Sequence, residues 1–529
     1  MHRPTSYIRT LVLLLSLVIA PALAADVITV GTDGPCNFAD LQEAIDAAWD
    51  GAFIHVQQGE YGSDQRFLMH DKSLIVVGGY DKCWGDRVGR STLYVKNDER
   101  VLSIRSLDKR ATVRLSYLEV TGAQPDAPFK AVAGGIDISG DVDVEMQQVE
   151  VHHAYATTGG GIRISSVQVG ISERRPTLTL LDSRIYSNSS FFYGGGLSCT
   201  QANMAIANTA FDSNESQAGA GLSLTECELV VLGEMGPLEL AYNFADLSGA
   251  GMILSQSELT VEPGKDGRTG LEVIGNLALR SGGGIHLAGD SLIEADGVLF
   301  KENIAFRSGG ALSAWDSTVR IGQNLGSCYS SFGCQRFEDN FAILHGGAIT
   351  LFDDAEARLD AVRARGNSAG QQGGGFASVY GGSSLHLTNA VLTANKGKTL
   401  IDAAHSRSLT LTSSTVFSND IDEVVLSIPE AWNVHISQSI LHENGAGHLA
   451  GGFAQVDCSF FDDVFGIPAG AVDSAQGDPL FVAPGSFRLA FETPVAEMCD
   501  DTSPHAEVDF DFEARPSRGR FEPGADELD

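Results

Sequence analysis

"FKENIAFRSGGALSAWDS" (Phe300–Ser317) and "FEDNFAILHGGAITLFDD" (Phe337–Asp354) are near copies of one phrase. In both copies a phenylalanine is followed three positions later by an asparagine. A second apolar residue stands nine positions beyond that asparagine, behind Gly-Gly-Ala. Internal spacing this constant indicates a repeated structural unit rather than a series of unrelated domains.

The phrase recurs, with variation, along most of the chain. Its asparagines are Asn188, Asn214, Asn243, Asn276, Asn303, Asn340, Asn367, Asn395, Asn419 and Asn444. The apolar residues three positions before them are Ile185, Phe211, Leu240, Val273, Phe300, Phe337, Ala364, Leu392, Val416 and Leu441. The apolar residues after the glycines are Leu197, Leu222, Met252, Ile285, Leu312, Ile349 and Phe376, followed in less regular copies by Ala404, Ile428 and Phe453. An earlier copy, "VHHAYATTGGGI", ends at Ile162 and is read with His153 at the asparagine position.

Apolar and polar residues alternate within each copy, as in "LTLLDSRIYSN". A period of two residues indicates β-strands, and the copies contain no helical run with a 3.6-residue period. Short strands, glycine-rich corners and a repeat of about 29 residues predict an all-β fold, a single-stranded parallel β-helix with one rung per copy. Neighbouring rungs are then expected to stack about 4.8 Å apart.

The asparagine column has a structural interpretation in such a fold. An asparagine turned inward at a corner can bond the backbone of its own turn and the amide of the asparagine in the next rung. The glycines supply the positive φ that the turn toward the next strand requires. We therefore predict a ladder of stacked amides and assign the asparagines no catalytic role.

Both ends of the solenoid are predicted to be capped, because open terminal rungs would pair with other chains. In "CNFADLQEAIDAAWDG" we expect a short helix with Asn37 as its N-cap. Its apolar face comprises Phe38, Leu41, Ile45 and Ala48. The predicted organisation is a signal peptide at residues 1–24, an N-terminal cap and first rungs at 25–150, the FxxN/GGA repeats at 151–453, and the last rungs with an irregular C-terminal cap at 454–529.

The paired motifs FxxN and GGA[ILV], here "FDSN", "FKEN" and "FEDN" with "GGAL" and "GGAI", resemble the repeats of the polymorphic outer-membrane protein family. Members of that family are surface adhesins with β-helical passengers, usually exported as autotransporters, so the resemblance implies an adhesin-like β-helix. The printed chain closes with "RFEPGADELD" rather than with the alternating strands of a translocating barrel. We therefore expect a passenger that lacks its barrel.

The two ends are similar to those of exported right-handed β-helix proteins. The N-terminal similarity is the helix followed by "AFIHVQQGEY". The C-terminal similarity is "RP" at Arg515–Pro516 and "GADE" at Gly524–Glu527. The right hand of the predicted helix is implied by this resemblance.

The first residues have the pattern of a secretory signal. Arg3 and Arg9 precede the apolar run "LVLLLSLVIA", and a small-x-small site ends at Ala24. We therefore expect a secreted, cell-surface or periplasmic protein without a membrane span. The chain has 35 basic and 68 acidic residues and a formal net charge of −33, which disfavours nucleic acid as a partner. The expected partner is a polysaccharide or a surface protein, and the expected state is a monomer.

Eight cysteines in an exported chain favour disulfides. Sequence order pairs Cys36 with Cys83, Cys199 with Cys227, Cys328 with Cys334, and Cys458 with Cys499, although spacing alone does not establish connectivity. No cysteine or histidine cluster has the spacing of a zinc site.

The signatures of several β-helical enzymes are absent. The set "NTD", "DD" and "GHG" of polygalacturonase-type hydrolases is incomplete, and the strand motifs of pectin methylesterases and common pectate lyases are not found. A calcium-assisted lyase or hydrolase of acidic glycans without a short signature stays the alternative. Its base would be a lysine or arginine beside metal-bound carboxylates, and Lys301 and Arg320 are the nearest by rung.

Aligned rungs bring two further columns together. Aromatic residues stand on three consecutive rungs at Trp315, Phe352 and Tyr380, where they form a surface on which sugar rings can stack. The acidic column is Glu226, Asp290, Asp316, Asp353 and Asp354, whose oxygens suit calcium. The competing interpretation is structural, since aspartate is common in turns and stacked aromatics strengthen β-solenoids.

Two insertions interrupt the rungs. Residues 165–177 carry Glu173, Arg174 and Arg175, a basic spot on an acidic protein, and residues 326–334 present Tyr329 and Phe332. Loops on a rigid scaffold often carry recognition residues, but surface variation explains such insertions as well.

These patterns favour an exported β-helix that binds a glycan or a cell surface without catalysis. No cofactor is required by this prediction, with Ca²⁺ as the one candidate ion. The alternative is the calcium-assisted polysaccharide lyase or hydrolase.

Overall fold

The computed structural model describes residues 27–97, 99–124, 127–131, 134–169, 172–265, 268–322, 335–483, 485–500, 506–510, 513–515 and 520–526. The predicted signal peptide and the predicted pair Cys328–Cys334 lie outside these ranges. The pairs Cys36–Cys83, Cys199–Cys227 and Cys458–Cys499 are present, as predicted.

The described chain forms a parallel β-helix, which confirms the predicted fold class. Its strands stack in parallel columns, and the columns define three faces of the solenoid. Face 1 carries the FxxN strands. Its strands are Glu60–Ser63, Ser91–Val95, Leu118–Thr121, Glu150–His152, Arg184–Tyr186, Thr209–Asp212, Leu238–Ala241, Leu271–Ile274, Val298–Lys301, Gln335–Glu338, Val362–Arg365, Val391–Thr393, Thr415–Phe417, Ile440–His442, Phe460–Phe461 and Ala475–Gln476.

Face 2 follows the glycine-rich corners. Its strands are Phe67–His70, Leu102–Ser116, Ile136–Gln147, Ile162–Ser165, Leu197–Thr200, Leu222–Thr225, Met252–Ser255, Ile285–Ala288, Leu312–Trp315, Ile349–Phe352, Gly374–Val379, Lys396–Asp402, Asp420–Ser427 and Gly447–Ala450. Short strands span the corner between faces 1 and 2. They are Tyr155–Thr158, Ser189–Tyr193, Glu215–Ser216, Phe244–Ala245, Leu277–Ala278, Ile304–Ala305, Phe341–Ala342 and Ser368–Ala369.

Face 3 completes each rung, and two long strands, Leu102–Ser116 and Ile136–Gln147, run from face 2 into it. Its other strands are Ile28–Val30, Ala52–Gln57, Leu74–Tyr80, Thr177–Leu181, Asn203–Ala207, Glu228–Val231, Glu258–Val261, Leu292–Ala295, Thr318–Ile321, Glu356–Asp360, Ser384–Thr388, Ser408–Thr412, Asn433–Ser437 and Gln455–Asp457. Two antiparallel hairpins lie outside the rungs. They are Ala123–Gln124 with Ala127–Ala131 and Val167–Val169 with Ser172–Arg174.

Inward side chains from all three faces form one continuous core. Ile185 of face 1, Leu197 of face 2 and Leu178 of face 3 belong to the same buried cluster. Equivalent residues stack along the axis, and the rings of Phe300 and Phe337 lie 4.9 Å apart and nearly parallel. Because alternate strand residues point inward, the period-two pattern of the sequence is the pattern of this core.

The asparagine ladder is present in all ten predicted positions. From Asn188 to Asn419, each side-chain NH₂ donates to Oδ1 of the next asparagine at 2.7–3.1 Å, and each backbone N–H donates to the same oxygen. The NH₂ group also donates to a carbonyl of the preceding rung, as Asn340 does to Phe300. Each of these side chains is therefore buried with its hydrogen-bonding capacity filled.

Two details of the predicted alignment are wrong. The ladder's first rung carries Ala154, whose N–H donates to Asn188, while His153 lies one position earlier. In the later rungs the face 2 positions are Ala377, Ile401, Leu426 and Leu449 rather than Phe376, Ala404, Ile428 and Phe453. The rungs of Ile401 and Leu426 lack the glycine corner and run straight into face 2 as single strands, Lys396–Asp402 and Asp420–Ser427. The rung of Ala377 keeps its glycines but has one more residue before face 2 than the rung of Ile349.

A second ladder, built from serines, was not predicted. In the last rungs the N–H of Ser414 donates to the hydroxyl of Ser439, and Ser439 repeats this contact with Ser459. Each hydroxyl donates in turn to the carbonyl two residues before it. At the corner between faces 3 and 1, serine side chains thus accept backbone N–H groups from the rung before, as the asparagines do at the corner between faces 1 and 2.

The predicted N-terminal helix is present at Leu41–Ala47 and buries Leu41 and Ile45. Its N-cap is Asp40, whose carboxylate accepts from the N–H of Glu43, and the predicted cap at Asn37 is wrong. Asn37 instead accepts from the N–H and the hydroxyl of Thr29, which tie it to the first strand.

The C-terminal segment folds back over the outside of face 1. Phe487 and Phe510 bury the outward residues Val391 and Phe417, and the N–H of Ala525 donates to the hydroxyl of Thr415. This irregular segment covers the outside of face 1 in the last rungs.

Candidate functional site: an aromatic strip with a polar end

The three predicted aromatic residues form a contiguous strip on the outside of face 2. Trp315 and Phe352 are register partners on adjacent strands, and their ring centroids are 5.5 Å apart. Phe352 stacks on Tyr380 in the next rung at 5.5 Å. Leu312 and Ala314 point into the core, so the alternation along the strand turns Trp315 outward, where it is 42% exposed. We call Trp315, Phe352 and Tyr380 the aromatic strip.

The strip extends by one ring toward the N-terminus. His286 meets Trp315 edge to face, with centroids 6.0 Å apart. Burial lowers the pKa of His286 to about 4, so its imidazole is neutral at physiological pH. The extension therefore adds ring surface without adding charge.

A polar cluster ends the strip on the other side. The hydroxyl of Tyr380 donates to Asp402 at 2.5 Å and lies 3.4 Å from Nδ1 of His345. Burial raises the pKa of Tyr380, and the negative charge of Asp402 raises it further, so the phenol stays protonated. Burial lowers the pKa of His345. The cluster thus places a hydroxyl, a carboxylate and a neutral imidazole beside the aromatic surface.

Sequence reasoning missed His345 and Asp402. Asp402 is the register partner of Ser378, two residues before Tyr380. The rung alignment used Ala404 instead of Ile401 in this copy, and the error displaced Asp402 from its neighbours. A correct register would have placed it beside the tyrosine.

The predicted acidic column lies in left-handed turns. Glu226, Asp290, Asp316, Asp353 and Asp354 all have φ between 45° and 63°. Aspartate tolerates this conformation better than most residues, which is a structural reason for its presence. Two of the carboxylates already have partners. Glu226 accepts from Gln201 at 3.0 Å, and Asp354 accepts from Arg407.

Across the described ranges, no group of three or more His, Cys, Asp or Glu side chains is arranged to hold a metal ion. Calcium binding by the acidic column stays a prediction.

The insertion at residues 165–177 forms the hairpin Val167–Val169 with Ser172–Arg174. Arg174 makes an ion pair with Asp141 at 2.7 Å, so its charge is compensated, and Arg175 is exposed. The side chain of Glu173 lies outside the described part of the chain, as do Tyr329 and Phe332. At least one of the two arginines of the predicted basic spot therefore has its charge compensated within the protein.

A separate polar groove lies on the outside of face 1 near the N-terminus. His152 contacts Glu119 at 2.7 Å, and Arg90 pairs with Glu150 at 3.0 Å beside a cleft of about 340 Å³. The hydrogen bond from His152 lowers the pKa of Glu119. His152 also stacks on Tyr186, with ring centroids 4.8 Å apart. The groove is lined by paired charges, in contrast to the aromatic strip.

The structure has no helix, within the residues it describes, that is long and apolar enough to cross a membrane.

No protein-family model matches the chain, and no curated protein matches its sequence. The chain is similar to ORF18 of Geobacillus virus E2, with a TM-score of 0.24 and 12% identity over 57% of each chain, so it spans little more than half of that protein.

Two further solved structures are similar at the same low level. PfbA, a surface adhesin of Streptococcus pneumoniae, has a TM-score of 0.24 and 8% identity over 78% of this chain and 87% of that one. The PL6 family alginate lyase AlyGC has a TM-score of 0.18 and 10% identity over 80% of this chain and 88% of that one. Similarities this low carry no argument about function.

Proposed function

We propose that the protein is exported and binds glycans through the aromatic strip, without catalysis. The observation that supports this most directly is the contact between Trp315, Phe352 and Tyr380, one ring per rung on an outward face. Three rings in a row offer apolar surface to the C–H faces of successive sugars. A linear glycan running along the solenoid axis fits this arrangement.

The polar cluster at the end of the strip offers hydrogen bonds, which the aromatic rings alone do not provide. Asp402 accepts hydrogen bonds, and the neutral imidazole of His345 can accept or donate one. Ligand sites usually combine an apolar surface with a few polar groups that fix the orientation of the ligand. Here the polar groups would orient the sugar hydroxyls. The resemblance of the repeats to those of polymorphic outer-membrane proteins also favours an adhesin-like role.

The proposal is tested by glycan binding to Phe352→Ala and to Trp315→Ala with Asp316→Ala, measured by calorimetry against neutral and acidic polysaccharides, with and without calcium. Both variants are expected to weaken binding at least tenfold, because each interrupts the strip. Trp84→Ala is the matched control, since Trp84 is 61% exposed and lies between the face 3 strand Leu74–Tyr80 and the face 1 strand Ser91–Val95. Unchanged binding in both strip variants would refute the proposal.

The alternative, a polysaccharide lyase, has one observation in its favour. His345 is neutral and lies next to the Tyr380 hydroxyl, so a base and a proton donor stand together. In β-elimination the base would take the C5 proton of a uronate, the C4–O bond would break as the C4=C5 double bond forms, and the leaving oxygen would take a proton. New ultraviolet absorbance from unsaturated ends, with uronate polymers plus calcium and then chelator, would establish this function instead.

A further inference from the structure

Three arginines cluster on the outside of face 1, far along the chain from the groove at its N-terminal end. Arg336 and Arg363 are register partners on adjacent strands, and Arg365 lies two residues beyond Arg363. Alternate residues of a strand point to the same side, and their inward neighbours Phe337 and Ala364 are buried in the core. The three guanidinium groups therefore share one outer surface, which we call the arginine patch.

Two of the three patch arginines lack the ion pairs that many arginines make elsewhere in the described part of this chain. Arg163, Arg184 and Arg358, for example, pair with Asp137, Asp212 and Glu356. Among the residues that the structure describes, Arg363 and Arg365 have no ion pair. Glu338 is the register partner of Arg365 and lies 3.8 Å from Arg336. The carboxylate of Asp339 lies beside Gly366, the residue after Arg365. The neighbouring residues 323–334 contain no aspartate or glutamate in their sequence.

This arrangement is unfavourable in the free protein. Partial burial lowers the pKa of Arg363, and the positive charges of Arg365 and Arg336 lower it further, against the opposing effect of Glu338. Like charges in register on adjacent strands destabilise a sheet. A chain with 68 acidic and 35 basic residues has ample carboxylates to neutralise such a cluster. The two carboxylates that border the patch, Glu338 and Asp339, do not balance its three arginines, and an external anion would offset the remaining positive charge.

We propose that Arg336, Arg363 and Arg365 form a binding site for the carboxylate or sulfate groups of an anionic polysaccharide. Guanidinium groups bind both oxyanions with two parallel hydrogen bonds. Adjacent strands lie about 4.8 Å apart, so the patch presents closely spaced cations to a polymer with closely spaced charges. The site lies on a different face from the aromatic strip and does not depend on glycan binding there.

The test compares two double variants that remove the same total charge. Arg363→Gln with Arg365→Gln removes the patch, while Arg163→Gln with Arg358→Gln removes two arginines that have ion pairs on other faces. The probes are polygalacturonate, which carries carboxylates, dextran sulfate, which carries sulfates, and uncharged dextran. Binding is measured by biolayer interferometry at about 0.15 M salt. The Debye length is then about 8 Å, so the negative charges on distant parts of the protein are screened from a polyanion at the patch. Thermal melting confirms that both variants are folded.

The wild-type protein is expected to bind at least one of the two polyanions and not dextran, and the preferred polyanion identifies the oxyanion. The patch variant is expected to bind at least about tenfold more weakly, with the control within about twofold of wild type. Lysine at both patch positions is expected to restore part of the affinity, because charge returns without the bidentate geometry. Equal weakening in the two double variants, or no binding of either polyanion by the wild-type protein, would overturn the proposal.

Discussion

The side-chain NH₂ of Asn303 donates a hydrogen bond to Oδ1 of Asn340 at 3.0 Å, although 37 residues separate the two in the chain. The backbone N–H of Asn303 donates to the same oxygen at 3.1 Å. One acceptor atom therefore holds both the side chain and the backbone of the rung before it. The ladder sets the register of the rungs and satisfies the polar groups of a buried corner with the same atoms.

Asn340→Ala is expected to lower the stability of the protein strongly. The substitution removes the acceptor of both Asn303 donors and leaves the carbonyl of Phe300 without its side-chain partner. Each unsatisfied buried group costs about 1–3 kcal/mol, so a loss of several kcal/mol and a clear fall in Tm are expected. Asn203→Ala is the control, because within the described residues the Asn203 side chain makes no hydrogen bond. Similar Tm values for the two variants would contradict a stabilising ladder.

Asp360→Asn is expected to stabilise the protein at neutral pH and not in acid. Burial raises the pKa of Asp360 to about 6 from 3.8, so between these values the folded state binds more protons than the unfolded state. Stability therefore falls as pH rises through this window, and the neutral asparagine avoids that loss. The expected gain at pH 7 is about 1–3 kcal/mol. Melting curves from pH 3 to 8 test this, and a difference that is constant with pH would exclude charge as its cause.

Removal of the disulfide Cys199–Cys227 is expected to destabilise the early repeats. The bridge joins two neighbouring rungs across 28 residues of sequence, and both cysteines are buried. A loop of this length predicts a loss of about 3.6 kcal/mol when both cysteines become alanine. Thermal melting of the double variant measures the loss. An unchanged Tm would show that the rung contacts alone hold this region.

The variant Tyr380→Phe distinguishes a strip that only binds glycans from one that takes part in catalysis. The variant keeps the ring that stacks on Phe352 and removes the hydroxyl that contacts Asp402 and His345. If the strip only binds, affinity for a glycan is expected to stay within about threefold, since stacking is retained. Calorimetry measures the affinity, and a uronate assay run in parallel reports turnover. Loss of a measurable lyase rate in this variant would favour the enzymatic alternative.

The fold could be predicted from the sequence because each repeat places the same residue types at the same spacing. The spacing from Phe300 to Asn303 and on to Leu312 places one residue in the core, one in the ladder and one on the next face. Each position carries the residue type that its environment requires. The predicted alignment is wrong where the corner of a rung is altered, as in the rungs of Ala154 and Ile401.

The candidate site was predicted in part. The aromatic strip followed from rung alignment, since its three rings occupy one column. The contacts of Tyr380 with His345 and Asp402 depend on the register of a copy that has lost its glycines, and the alignment misplaced that copy. The arginine patch was visible in principle, because Arg336 and Arg363 both stand four positions before a ladder asparagine. It was passed over because the alignment followed only apolar, acidic and aromatic columns.

The ladder leaves the edges between the faces free to change in length. Successive asparagines are separated by 24 to 37 residues, yet their hydrogen bonds do not vary in kind. In two of the longer rungs the surplus residues, 262–270 and 322–334, follow face 3 strands and precede face 1 strands. Segments grafted at this edge would be displayed as a crest along the solenoid while the interior stays intact. Such insertions would let the outer surface of the protein diversify while the buried asparagine ladder and the inward strand residues keep their contacts.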